Sequence, residues 1–207
     1  MTPKVDHLEV LVEEPSMEAA IQVVLPKILP SVELGVHAHQ GKVDLLNKLP
    51  AKLRAYSSWI PETWRVVVIV DRDDQDCERL KQELEAHAAA ADLETRSTAP
   101  ANRTWVVVNR VAIEELEAWY FGDWEAVRAA FPRVAATVPA RAAYRDPDRI
   151  RGGTWEAFER VLQQAGYFPG GLPKIAIARA VAPHMVPARN RSRSFQTLHL
   201  ALQDLEA

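Results

Sequence analysis

Apolar positions along the chain fall into two patterns: short continuous runs and helically spaced stripes. Val5 to Val12 is the first run and reads as a strand. Pro15 and Ser16 then open a helix to about Leu29, since proline suits the first helical turn, and Pro26 kinks or shortens its end. Val32 to Ala38 is a second, shorter strand. Leu45, Leu46, Leu49 and Leu53 form a helical stripe within Gly41 to Tyr56, around an internal Pro50. Val66-Val-Val-Ile-Val70 has five consecutive β-branched residues and no alternation, as in a strand buried on both faces of a parallel sheet. A helix follows from Asp74 to about Ala91, with Asp73 or Asp74 as its cap. Trp105 to Val111 is a fourth strand.

From Ile113 onward the pattern turns helical: Glu114 to Tyr120, Trp124 to Phe131, Trp155 to Ala165, Pro173 to Ala182 and Ser194 to Leu205. Strands alternating with helices predict an α/β fold, a mainly parallel four-stranded Rossmann-like sheet with helices on both faces. The proline-bearing segment 132–153 suggests a boundary, giving an α/β domain over 1–131 and a helical C-terminal extension over 132–207 packed on it.

Composition narrows the class. Of 207 residues, 48% are hydrophobic and 26% charged, as in a globular protein, and no run is long enough to span a membrane. The single cysteine, Cys77, excludes an internal disulfide and a cysteine-based zinc site, and makes the cytoplasm the expected location. The net charge of −3 is uneven: residues 141–207 hold ten Lys or Arg against six Asp or Glu. An acidic first part and a basic tail suit a phosphate-bearing substrate; ordinary surface variation is the alternative.

The chemistry sits at strand ends. Glu13-Glu14 follows the first strand, and Asp71-Arg-Asp-Asp74 follows the third. Ligands of open α/β sheets bind outside the carboxyl ends of the strands. If these two strands are neighbours, several carboxylates meet at one edge, which favours a divalent cation, Mg²⁺ or Mn²⁺. The Asp71-x-Asp73 spacing lets both carboxylates reach one ion, with Asp74 beside them. Glu13 can act as general base or acid next to a metal-bound water, or as a further ligand. Helix capping is the competing account of these residues. Glu114 and Glu117, three apart on one helix face, offer a ligand for a second ion, with Glu117 the candidate.

These features resemble the Toprim domain of topoisomerases, bacterial primases and overcoming-lysogenization-defect nucleases. Glu13 falls on that family's catalytic Glu, and Asp71 and Asp73 on its metal-binding pair. The family usually has Gly after the Glu, where this chain has Glu14. The wider chain also resembles the Toprim-like domain of unknown function family 4276. The resembling segments are Glu9-Val-Leu-Val-Glu-Glu-Pro-Ser16, Gly41-Lys-Val-Asp-Leu-Leu46, Val70-Asp-Arg-Asp-Asp74, Ala112-Ile-Glu-Glu-Leu-Glu-Ala-Trp119 and Asn190-Arg-Ser-Arg-Ser-Phe195. The resemblance implies a Mg²⁺-dependent nuclease acting on DNA or RNA, in phage defence beside an ATPase partner. A homo-oligomer stays open.

Other constellations carry less. His37 and His39, two apart on a strand, can bind a transition metal only with a third ligand. Gly41-Lys42 lacks the glycines of a P-loop, so ATP binding is not expected, though Lys42 can meet a phosphate. Lys174, Arg179, Arg191 and Arg193, with Arg189, Asn190, Ser192 and Ser194 among them, form a basic and hydroxyl-rich set for nucleic-acid backbone contacts. A phosphoryl-accepting receiver domain is disfavoured, because Thr104 begins the fourth strand and Arg110 stands where it stops. Gln75 disfavours a haloacid-dehalogenase-type phosphatase. The alternative class is a non-catalytic sensor or interaction subunit of an ATPase-containing defence complex.

Overall fold

The structure is a computed structural model and describes residues 4–73, 75–100, 104–113 and 115–205. Among these residues, β1 (His7–Val12), β2 (Glu33–Ala38), β3 (Trp64–Asp71) and β4 (Val107–Ala112) form one sheet in the order β2-β1-β3-β4. Every pairing is parallel, so the expected α/β class holds. Val12 pairs with Ala38 and Ile69, and Asp71 with Ala112, so the carboxyl ends of all four strands meet along one edge.

Helices cover both faces. α2 (Lys42–Trp59) and α3 (Cys77–Ala89) lie on one face. There Leu45, Leu49, Leu53, Leu80 and Leu84 pack on Leu11, Val66, Val68, Val70 and Val107. The opposite face of the same strands, Leu8, Val10, Val12, Val67, Ile69 and Val108, carries α1 (Pro15–Val24) and the helices of the second half. Those are α4 (Leu116–Gly122), α5 (Trp124–Ala130), α6 (Thr154–Gln164), α7 (Lys174–Val181) and α8 (Arg193–Gln203). Phe158, Ile177, Phe195 and Leu202 from them join Ile21 and Val24 of α1 in one continuous core. A fully buried side chain of this size contributes about 1.5–3 kcal/mol.

Several element limits move, each for a local reason. Pro26 has no amide hydrogen, so α1 stops at Val24 and a 3-10 turn follows over Leu25–Lys27. α3 begins at Cys77 because Asp76 caps it, its carboxylate accepting from the amides of Glu78 (2.9 Å) and Arg79 (3.0 Å). That corrects the expectation that Asp73 or Asp74 is the cap. β4 begins at Val107, two residues later than its apolar run suggests. No helix among the described residues is long and apolar enough to cross a membrane.

Candidate metal centre at the acidic sheet edge

Glu13 leaves the carboxyl end of β1, and Asp71 is the last residue of the neighbouring β3. A Glu13 Oε1 accepts the Asp71 backbone N–H at 2.6 Å, so the two strand ends are fastened together. α4 brings Glu117 within electrostatic reach of Asp71. All three carboxylates are buried, with exposures of 8%, 6% and 3%. Burial pushes Glu13 up to about 7. Burial also pushes Glu117 to about 8, with Glu115 and Glu14 adding to the rise and Lys174 opposing it. Asp71 is raised well above the usual carboxylate range, by burial first and then by Glu13, Glu117, Glu14 and Asp73. Like charges held this close in a dry site disfavour joint ionisation.

Asp71 Oδ1 is buried with no hydrogen-bond partner, and so is the Tyr120 hydroxyl. Tyr120 feels the charges of Glu117, Glu14 and Asp71 once burial has raised it, so it faces the same carboxylates. A buried acceptor and a buried donor near the same carboxylates have hydrogen-bonding capacity to spare, a rare condition inside a fold.

Two lysines border this edge. Lys42 Nζ lies 2.6 Å from Asp73 Oδ2 and donates to the Arg72 carbonyl at 3.1 Å. Asp73 takes a left-handed backbone (φ 49°), which aspartate tolerates. Lys174 Nζ lies 3.4 Å from Glu14 Oε1 and above the Trp155 ring. Burial would lower the Lys174 ammonium, yet Glu14, Glu117 and Glu115 raise it overall. The edge is therefore partly neutralised by cations the strand-end motifs do not reveal.

The remaining candidates divide. Asp74 and Glu114 lie outside the described residues. Glu115 accepts from Thr154 Oγ1 (3.1 Å) and the Trp155 amide (2.8 Å), so it serves the N-terminus of α6. Arg179 shares a shallow pocket with Lys174 near the edge. Arg191 lines a different cleft with Asp123 and Trp124, and Arg193 another beside β4. The hydroxyls of the tail are not free for phosphate. Ser192 and Ser194 turn inward and donate to Asp148 at 2.8 and 2.9 Å, and the Asn190 amide donates to the Trp119 carbonyl at 2.9 Å. Gly122 permits this lock, since a Cβ there would collide with Asn190 Oδ1. Arg189 is held by Asp123 (2.7 Å) and Glu125 (2.6 Å). The histidine pair also separates: His37 meets Glu9, whereas His39 lies past β2 with its Nδ1 2.9 Å from the Val12 carbonyl.

Residues without a sequence signal complete the setting. A cleft of about 610 Å³ opens beside Asp73, lined also by Arg72, Arg149, Arg151 and Gly153. Arg149 and Arg151 sit in an irregular segment with no periodicity to reveal them. Tyr120 was readable, since it stands three residues after Glu117 on one helix.

The donor set fits Mg²⁺ or Mn²⁺ in kind: carboxylate oxygens only, one of them buried without a partner. Among the described residues, no three histidine, cysteine, aspartate or glutamate side chains are gathered closely enough to hold an ion as they stand. Among the described residues, closing a shell around Asp71 therefore requires side-chain rotation.

No curated protein matches the chain. The chain belongs to a family described as a domain of unknown function, DUF4276, whose model matches residues 12–203. The resemblance read from the motif segments is thus borne out at the level of family. Among solved structures, the C-terminal region of the OLD protein of Xanthomonas campestris pv. campestris is similar over 97% of this chain and 95% of that one, with 17% identity and a TM-score of 0.44.

Proposed function

We propose that this chain is a divalent-cation-dependent nuclease that cleaves nucleic-acid phosphodiesters at the acidic edge. One observation carries the reading: three buried carboxylates, Glu13, Asp71 and Glu117, converge at the carboxyl ends of β1 and β3, and an Asp71 oxygen is left without a partner. Asp71, Asp73 and Glu117 would hold the ion, with Asp74 completing the set. When bound, Mg²⁺ or Mn²⁺ supplies polarisation of a phosphoryl oxygen and a lowered pKa of water.

The chain's own groups do the rest. Glu13, raised to about 7, is suited to take and return a proton near neutral pH at its free carboxylate oxygen. Lys42 and Lys174 flank the edge and offset the charge of an approaching phosphate. Arg72, Arg149 and Arg151 line the adjoining cleft beside Asp73, Glu115, Asp148 and Glu156, and these arginines would meet the strand's phosphates. From residues 132–207, Lys174 and the Trp155 ring beneath it stand beside the edge. In this reading residues 1–131 provide the catalytic edge, and 132–207 provide its lid and basic side. The resemblance of Glu13 and Asp71-x-Asp73 to the Toprim pattern supports the reaction class, and it extends the proposal to phage defence in the cytoplasm beside an ATPase partner.

The test is cleavage of labelled DNA and RNA with Mn²⁺. Asp71→Ala should lose activity with its circular dichroism unchanged. Full activity in that variant would sink the assignment. A second reading, a non-catalytic interaction subunit, is favoured by the Lys42–Asp73 ion pair, which occupies one prospective ligand. It expects no divalent-ion binding and co-purification with the ATPase.

A further inference from the structure

A second cleft, of about 330 Å³, opens at the outer edge of β4 between α3 and α8. Glu13, Asp71 and Glu117 do not line it. Its cations are peculiar in their partners. Lys81 Nζ and Arg110 Nη1 donate to the same oxygen, the Asn109 carbonyl, at 2.8 and 2.9 Å. Two positive heads are thus brought together at one point of the sheet edge. Lys81 has Glu85 as a counterion at 2.5 Å. Among the described residues Arg110 has none: it is only 8% exposed, and its Nε and Nη2 lack any hydrogen-bond partner. Arg193, exposed in the first turn of α8, lines the same cleft and also makes no ion pair among the described residues.

The nearest carboxylates are already engaged. Glu85 accepts from Lys81, from the Asn109 side chain (3.0 Å) and from Thr95, and Asp204 pairs with Arg96 at 2.6 Å. Glu78 on the rim is the one acid of the lining among the described residues. A buried guanidinium without a counterion is costly, and folds keep such charges when they meet an anion. Burial, and then Arg96, pull the Arg110 guanidinium down to about 10, with Glu85 and Asp204 opposing the fall.

We propose that this cleft binds a phosphate group, held by Lys81, Arg110 and Arg193 against the apolar wall of Val111 and Ile113. Guanidinium matches phosphate in a two-pronged geometry, and a third N–H of Lys81 is free to join it. Room beyond one phosphate suits an organic body attached to it. A free nucleotide and a nucleic-acid 5′ end share that chemistry. The lining includes none of the carboxylates Glu13, Asp71 and Glu117, and the site needs no divalent ion.

Calorimetric titration of the full chain in metal-free buffer tests this, using inorganic phosphate, AMP, and a short single-stranded oligonucleotide with and without a 5′-phosphate. Phosphate and AMP should bind. Arg110→Met should weaken both at least about tenfold, the loss of charge-assisted hydrogen bonds, and Arg193→Ala should weaken them severalfold. Arg110→Met should melt no lower than the parent, because an unpaired buried charge gives way to an apolar chain of similar length. Where it does melt lower, the exposed Arg193→Ala carries the test. Asp71→Asn should leave phosphate binding unchanged, which separates this site from the proposed nuclease centre. AMP binding more tightly than either oligonucleotide identifies the free nucleotide as source, and preference for the 5′-phosphorylated oligonucleotide identifies the nucleic-acid end. Absence of phosphate binding, or binding indifferent to both arginine substitutions, overturns the proposal.

Discussion

Two buried glutamates stand four residues apart, Glu9 within β1 and Glu13 just past its end, and they are treated in opposite ways. Glu9 is surrounded by donors. His7 Nε2 and His37 Nε2 lie 2.8 and 2.6 Å from its oxygens, and Tyr56 donates to it at 2.8 Å. Burial would raise Glu9, but Tyr56, His7 and His37 bring it below its ordinary value. Glu13 receives one backbone N–H, faces other carboxylates, and is pushed up to about 7. Burial alone therefore does not mark a functional carboxylate. Glu9 has the saturated environment of a structural group, with donors matched to its lone pairs. Glu13 has the under-supplied environment of a group that waits for a cation or a proton.

The comparison breaks most sharply in catalysis. Glu13→Gln should lower cleavage by about 10²–10⁴-fold, the usual weight of a general base, while Glu9→Gln leaves cleavage within a small factor. Equal losses in both variants would erase the distinction. Stability should reverse the ranking. Glu9→Ala strands Tyr56, His7 and His37, and should cost about 2–4 kcal/mol in urea unfolding. Glu13→Gln removes a strained charge and should cost less.

Titration sharpens the contrast through its sign. Glu13 (about 7) and Glu117 (about 8) lie above their unfolded values, so the stability they contribute is full below about pH 4.5 and is lost as pH rises through 7 and 8. Glu9 lies below its unfolded value, so its contribution is present above that value and fades as pH falls through the lowered one. Melting of the metal-free chain should therefore drop from pH 5 to pH 8.5. Mn²⁺ should restore it, with affinity rising over the same range as the ion displaces protons. A melting temperature flat across that interval would contradict the raised values. The smallest effect belongs to Tyr120→Phe. Removing an unpartnered hydroxyl should leave the melting temperature unchanged or raised, and weaken Mn²⁺ binding severalfold if that hydroxyl orients the guest beside Asp71.

How much of this was legible depended on what each feature rests on. The branched run at Val66–Val70 identified a strand buried on both faces, because composition alone excludes a solvated face there. The meeting of Glu13 with Asp71 needed β1 and β3 to be neighbours, which depends on the strand order and not on any local pattern. The cap of α3 was misplaced because four of the six residues from Asp71 to Asp76 are acids, and the backbone decides that Asp76 takes the role. The hydroxyls of the tail motif Asn190–Phe195 depart from expectation for a related reason. Its alternation looks like phosphate chemistry, but period two sends Ser192 and Ser194 inward to Asp148 and leaves Arg191 and Arg193 outside. Lys42 and Lys174 reach the edge from helix starts 132 residues apart, a coincidence that packing creates and sequence spacing does not encode.

The central claim is that the acidic edge is built for a cation, and Mn²⁺ binding tests it without requiring substrate or partner. Calorimetry at pH 8 on the wild-type chain and on Asp71→Asn is the direct measurement. The account predicts binding in the micromolar-to-millimolar range for the wild type, lost in the variant while the fold is kept. No binding by the wild type, or the same binding in both, would contradict it and leave the cluster a structural feature of the sheet edge.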